Sequence, residues 1–294
     1  MTTDSFDWKA SLPAWGDDIL PAGNFLGRKG KLVVRLSESQ QELAAAQTLR
    51  YRVFYEERGL AASPEIRLAG RDSDAFDAIC DHLLVLAPAE EAGEDAILVD
   101  GGEVVGTYRL LRQEVAEKTL GFYSQGEFDI ASLISARPDL RFLELGRSCV
   151  LKSYRTRPVV ELLWQGIWNY VRLHRIDVMF GCASFEGTDL NSLRRPLQFL
   201  RANFRAPDEW SISAHPDRGY FVPFTEEDVM DERQALRMLP PLLKGYLRLG
   251  AFIGDGAYVD YQFNTVDVLI ILPVSAINSR YFDHFGQPDE TPRL

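Results

Sequence analysis

This chain has little of what marks a secreted, membrane-spanning or metal-bound protein. Its cysteines number three, Cys80, Cys149 and Cys182, which are odd in count and far apart. They imply no disulfide framework and read as small core residues of a reducing compartment. The four histidines, His82, His174, His215 and His284, are not placed with them at paired metal-ligand spacing, so no metal site is expected. Long apolar runs are also missing. The longest late run, Val266 to Val274, contains Asp267 and falls well short of the ~20 residues a bilayer span requires. The opening MTTDSFDWKASLPAWGDD carries early acids and no apolar core of signal-peptide length. A cytoplasmic protein is expected, with at most a peripheral contact at the inner membrane. Basic residues are outnumbered too, 32 Lys and Arg against 43 Asp and Glu for a net charge of −11. That balance argues against a nucleic-acid binder, which would carry a basic face.

What is present is ample apolar material, 46% of 294 residues, enough for a chain of this length to bury its own core. The charge is unevenly spread. Residues 147 to 175 hold Arg147, Lys152, Arg155, Arg157, Arg172 and Arg175 against the single acid Glu161, a local +5 within an acidic protein. Such a patch is either a solvated helix face or a dock for an anionic partner or phosphate.

Residues 1–31, rich in Gly, Pro and aromatics, read as an arm. Leu32 to Leu36 predicts a first strand, and Ser37 with Gln40 a capping box opening a helix to Gly59. Residues 60–81 read as a long loop carrying Asp72, Asp74, Asp77 and Asp81, either solvated or functional. Strands follow at 83–86 and 96–111, the latter broken by the Asp100-Gly101-Gly102 hairpin signal. A strand at 142–150, a helix at 159–173, a strand at 178–183 and a helix from Thr188 to about Phe204 come next. Thr225 with Asp228 signals another helix, stopped by Pro240 and Pro241. A short helix (242–249) and a strand pair (257–263 and 266–272) close a single mixed α/β domain over 32–285, leaving a tail at 286–294.

The most informative stretch is FLELGRSCVLKSYRTRPVV, residues 142–160, an apolar strand entering a basic loop and then a helix. Gly146 inside that strand suggests a bulge or a close backbone approach. In an unbroken strand Glu144 and Arg147 face opposite sides, but one extra residue at a bulge turns both towards one cleft.

The order of elements and several stretches together resemble the GNAT acyltransferase superfamily. The stretches are LRYRVFYEERG (49–59), DAFDAICDHLLV (74–85), VVGTYRLL (104–111), LELGRSCV (143–150) and DVMFGCASFEGTD (177–189). Within it the chain resembles the branch of acyl-homoserine-lactone synthases and ornithine-lipid N-acyltransferases. Residues 239–273, LPPLLKGYLRLGAFIGDGAYVDYQFNTVDVLIILP, look like the ornithine-acyl carrier protein N-acyltransferases. The resemblance implies an α+β, GNAT-like fold, a central mixed and mostly antiparallel sheet flanked by helices. It places Arg50, Phe54, Asp74 and Asp77 at the acceptor, and Arg109, Glu144 and Arg147 at the reactive centre.

GNAT enzymes that use coenzyme A usually hold its pyrophosphate in a glycine-containing loop, where this chain reads Arg155, Thr156, Arg157, Pro158, Val159 and Val160. Without those glycines the backbone cannot come as close, although a helix N-terminus still attracts one phosphate. The resemblance therefore implies acyl carrier protein as donor, with its phosphopantetheine as part of the substrate and no resident cofactor. Gly146 and Ser148 would meet the thioester through backbone N–H groups, and Lys152, Arg155, Arg157 and Arg172 the acidic carrier. Glu144 is the candidate base for the amine, contributing roughly 10²–10⁴ in rate, or else an ion-pair partner of Arg109 or Arg147. Asp74 and Asp77 would hold the cationic ends of ornithine, with Arg50 or Arg109 pairing its carboxylate. Cys149 and Cys182 have no predicted histidine nearby, which favours direct transfer. The expected activity is N-acylation of ornithine by a long, 3-hydroxylated chain. The alternatives are another amine acceptor (glycine, lysine, glutamine or a homoserine derivative), a haemolysin-like membrane-acting protein, and a non-catalytic carrier-binding module.

Overall fold

A computed structural model describes residues 24–223, 231–277 and 281. The chain runs β1 (Phe25–Lys29), β2 (Leu32–Leu36), α1 (Gln40–Tyr51), α2 (Pro64–Ala69), β3 (Asp81–Ala87), β4 (Leu98–Val99), β5 (Gly102–Arg112), α3 (Gln113–Ala116), α4 (Ile130–Ser135), β6 (Phe142–Val150), α5 (Arg157–Leu173), β7 (Val178–Glu186), α6 (Leu190–Phe204), β8 (Gly219–Tyr220), α7 (Glu232–Met238), α8 (Pro241–Leu249), β9 (Phe252–Ile253), β10 (Ala257–Asp260) and β11 (Thr265–Pro273). The strands form one sheet in the order β1-β2-β3-β5-β6-β7-β11-β10-β8, with β4 added to β5 and β9 to β11. Among these strand pairs only β6 and β7 run parallel. The mixed, mostly antiparallel sheet flanked by helices matches the sequence-based expectation.

The parallel pair needs a crossover, and α5 supplies it by lying across β1, β2, β3 and β5. A Cβ at Gly166 would stand 2.7 Å from Val34 Cγ2 and 2.8 Å from Leu83 Cδ1, so glycine at this point lets helix and sheet meet backbone to side chain. Leu143 and Leu145 of β6 join Leu163, Ile167 and Val171 of α5 in the large core on this face. The opposite face carries two separate cores. One gathers Leu49, Val53 and Phe54 against Leu84, Val104 and Cys149; the other gathers Phe122, Phe128 and Trp210 against Phe142, Phe180 and Leu269. Strand β6 therefore begins in the second and ends in the first, and Glu144, Gly146 and Arg147 fall between them.

The sheet opens beside these residues. β6 and β7 pair only over Phe142–Glu144 and Val178–Phe180, after which β6 stays with β5 and β7 with β11. At the point of parting a Cβ on Gly181 would lie 2.2 Å from the Leu145 carbonyl oxygen, a contact no side chain tolerates.

Several local expectations are corrected. Phe25–Lys29, placed in an arm over 1–31, is an edge strand in register with β2; residues 1–23 lie outside the described residues. The first helix is capped by Ser39, whose hydroxyl accepts from Glu42 N, not by Ser37. It continues as a π-helical turn over Arg52–Glu57. The 60–81 segment is not a bare loop: it holds α2 and a 3₁₀ turn, Ala75–Ala78, for which Asp74 and Asp77 form a reciprocal capping box. Asp189 rather than Thr188 caps α6. The Thr225–Asp228 cap and the 286–294 tail lie outside the described residues.

Candidate active site

Three arginines and three aspartates brought from four segments meet at the mouth of the β6/β7 opening. Arg50, at the end of α1, donates to Asp77 at 2.9 and 2.6 Å and also pairs through Nε with Asp72 at 2.9 Å. Arg109 of β5 donates to both Asp74 oxygens at 2.7 and 2.8 Å and reaches Asp77 at 3.4 Å. Arg147 lies 3.2 Å from Asp74 and 3.5 Å from Asp72. Its guanidinium stands over the rings of Phe263 and Tyr123, at 4.4 and 4.9 Å from their centroids. Phe54 meets Phe263 edge to face. Six charges thus cancel within the chain, which is what makes their burial tolerable. Burial resists ionisation of Asp77, but Arg50 and then Arg109 hold its carboxyl down at about 2.

The bulge expected at Gly146 sits one step further on. Thr107 faces Cys149 and Arg109 faces Gly146, so Arg147 and Ser148 together oppose Tyr108. Arg147 takes the left-handed φ of 49°, uncommon for a side-chain-bearing residue and a form of strain that collects at functional sites. Gly146 itself leaves room: a Cβ there would meet only Arg109 Nε, at 3.9 Å. The hydroxyl of Tyr108 pairs with that of Tyr246 at 2.8 Å.

Glu144 is paired with neither Arg109 nor Arg147. Its carboxylate is buried and accepts from Ser124 N and Oγ at 2.7 and 2.5 Å and from Tyr123 N at 2.8 Å, anchoring the 3₁₀ turn Tyr123–Gly126. Burial raises its pKa while those three hydrogen bonds resist the rise. The net effect leaves a carboxylate whose proton affinity exceeds the ordinary, with a single hydrogen bond to Oε2 among the described residues.

The chain is similar to known proteins over most of its length. Residues 49–165 match the acetyltransferase (GNAT) domain family. An L-ornithine N(alpha)-acyltransferase of Rhizobium meliloti (strain 1021) is 50% identical over 266 residues, covering 90% of this chain and 88% of that protein. Its counterpart in Brucella abortus (strain 2308) is 51% identical over 261 residues, covering 89% and 91%. The chain belongs to the L-ornithine N(alpha)-acyltransferase family. Among solved structures, an N-acyl amino acid synthase from uncultured soil microbes superposes with a TM-score of 0.47 at 11% identity, over 86% of this chain and 99% of that one.

In this member of the family the residues expected at the acceptor and the reactive centre, Arg50, Phe54, Asp74, Asp77, Arg109, Glu144 and Arg147, do come together, but the aspartates are engaged by arginines. The basic residues divide. Lys152, Arg155 and Arg157 are exposed at the start of α5, with Arg155 forked onto Glu57 at 2.5 and 2.7 Å and Arg157 on Glu161 at 2.6 Å. Arg172 is buried at the far end of that helix, roughly 22 Å away by helical rise, and cannot serve a surface dock. All three cysteines are free. Burial raises the thiol pKa of Cys149 and Cys182, so neither is a ready thiolate nucleophile.

Glu127 and Asp267 escaped sequence reasoning. One carboxylate oxygen of each and the Cys182 Sγ lie within 4.8 Å of one another. Cys182 Sγ is 3.1 Å from Glu127 Oε2 and 3.5 Å from Ser124 Oγ, which links this group to Glu144. Asp267 gave one signal, a charge inside the apolar run VDVLIIL, and Glu127 none.

Proposed function

We propose that this acyltransferase moves a long, 3-hydroxylated acyl group from acyl carrier protein to the α-amine of ornithine, giving lyso-ornithine lipid. The observation that carries the reading is the opening of β6 from β7 beside a buried carboxylate, in a chain half identical to L-ornithine N(alpha)-acyltransferases over nine-tenths of its length.

The amine nitrogen attacks the thioester carbonyl, the new C–N bond replaces the C–S bond, and the carrier's thiol departs. An ammonium gives up two protons in this exchange; one returns to the thiolate and one is released. Glu144 accepts the proton from the attacking nitrogen, directly or through a water, and burial raises its proton affinity in the direction that task needs. The bulge at Arg147 leaves a strand residue out of the ladder, a natural source of backbone N–H for the developing oxyanion. The donor's phosphate would meet the N-terminus of α5, whose cap residue Thr156 makes no side-chain hydrogen bond to the helix, flanked by Lys152, Arg155 and Arg157. Glycine, lysine, glutamine or a homoserine derivative as acceptor is less favoured by the relatives' identity. As for a membrane-acting protein, no helix among the described residues is long and apolar enough to cross a membrane.

Purified protein incubated with acyl carrier protein carrying a 3-hydroxyacyl chain, and with each candidate amine, tests the reading by mass spectrometry of the product. Acyl-ornithine as the main product, formed faster from the carrier than from coenzyme A, is expected; preferred acylation of another amine, or from coenzyme A, refutes it. Replacing Glu144 by Gln should slow transfer at least ~10²-fold. Gln also sets its amide NH₂ against the Tyr123 N–H, so a fold control belongs with this variant. A folded Glu144→Gln protein at full rate at neutral pH would refute the base assignment.

A further inference from the structure

We propose that Glu127 and Asp267 form the subsite for the acceptor's side-chain ammonium, so that these two carboxylates, and not Asp74 and Asp77, select a diamino acid. This rests on ornithine being the acceptor.

Asp74 and Asp77 already have their cations, whereas Glu127 and Asp267 have none: among the described residues neither makes an ion pair with Lys, Arg or His. Both side chains are buried, Asp267 at 5% and Glu127 at 6% exposure. Asp267 stands in the interior of β11 between buried Val266 and Val268, directly across from Ser184 of β7. Its Oδ1 is buried without a hydrogen-bond partner. Asp260, the third acid nearby, is accounted for, since its Oδ1 accepts from Gln262 N and Phe263 N at 2.7 and 3.2 Å in the β10–β11 turn.

Two adjoining carboxylates with no cation are costly to bury, and the protein shows that cost. Burial and then the charge of Asp267 push Glu127 up to about 8, and burial pushes Asp267 up to about 6 although the Ser184 and Thr265 hydroxyls and the charge of Arg147 favour its ionised form. A sequence selected for stability alone would place an apolar residue in mid-strand here; a carboxylate kept there awaits a cation from outside the chain. The position suits the second amine of a substrate whose first amine is at Glu144. Cys182 touches Glu127, and Ser124, beside it, hydrogen-bonds Glu144. The two nitrogens of ornithine are five bonds apart, roughly 6 Å when extended.

The test compares ornithine with norvaline, which has the same carbon skeleton without the second amine, as acceptors for the full-length protein and its Asp267→Asn and Glu127→Gln variants. Each variant should lose at least ~10-fold in kcat/KM for ornithine, chiefly through KM, with norvaline changed less than ~3-fold, so that the preference collapses. Circular dichroism of each variant establishes the fold, and either variant alone suffices. An unchanged ornithine-to-norvaline ratio in a folded variant overturns the proposal. So does a stoichiometric zinc or manganese ion on the wild-type protein that Asp267→Asn loses, since the three groups would then be metal ligands. Wild-type protein that acylates no ornithine refutes the acceptor reading itself, a result separable from the other two.

Discussion

Removing one of two buried, unpaired carboxylates should make this protein more stable, and only above a certain pH. In the folded chain Glu127 holds its proton up to about pH 8 against an ordinary 4.5, so between those values the folded state binds more protons than the unfolded one. Stability must then fall as pH rises through that window, and the penalty is absent below 4.5, where both states are protonated. At 1.36 kcal/mol per pKa unit the ceiling is about 5 kcal/mol. Glu127 shares its titration with Asp267, and the unprotonated pair relaxes, so Glu127→Gln should recover about 1–3 kcal/mol at pH 8, or about 2–6 °C in Tm. Asp267→Asn should act in the same direction. Differential scanning calorimetry without substrate at pH 8.0 and pH 4.5 measures both. A rise at pH 8.0 that vanishes at pH 4.5 is expected; an equal shift at both pH values, or a loss at pH 8.0, would refute the reasoning.

The opposite sign is expected at the arginine-bound acids. Asp77→Ala leaves Arg50 with Asp72 alone and a surplus buried positive charge among the three arginines, and should cost about 3–5 kcal/mol by urea unfolding; a loss confined to ornithine KM with normal stability would return Asp77 to the acceptor. The wild-type contribution of Asp77, whose carboxyl titrates at about 2 instead of 3.8, is present above pH 3.8 and is lost as pH falls towards 2, visible as a steepening of acid unfolding that Asp77→Asn lacks. Gly181→Ala forces the Leu145 carbonyl away and should cost at least ~1–3 kcal/mol together with most of the activity, and a variant with wild-type Tm and rate would show that the strands do not part where described. Charge reversal at Lys152, Arg155 and Arg157 should slow transfer from acyl carrier protein and flatten its salt dependence while sparing a small pantetheine thioester. Arg172→Glu should instead unfold the chain.

The fold was legible because its strands and helices announce themselves by local pattern. β5, β6, α5, β7 and α8 were each located within a few residues from apolar periodicity and from Gly and Pro punctuation. Errors collected where structure is set by capping and by pairing at an edge. Ser39 outcompetes Ser37 because Glu42, three residues on, satisfies both the cap and Arg35. Phe25–Lys29 shows too little alternation to reveal a strand until β2 offers it a partner.

The site divides along the same line. Arg50, Asp74, Asp77, Arg109, Glu144 and Arg147 were found because each lies in a stretch that resembles a family pattern, yet such a pattern says which residues gather and not which of them neutralise one another. Three arginines against three aspartates leave no charge over, so the selectivity for a cation has to come from acids outside the motif. Those acids lie just past the Tyr123–Gly126 turn and in β11, and meet beside Cys182 of β7, a contact between residues 127, 182 and 267 with no trace in local sequence. Asp267 is the one position where the sequence speaks: a carboxylate in the middle of VDVLIIL weakens a core strand, and its place there in a folded chain has its physical explanation in the substrate cation proposed to sit beside it.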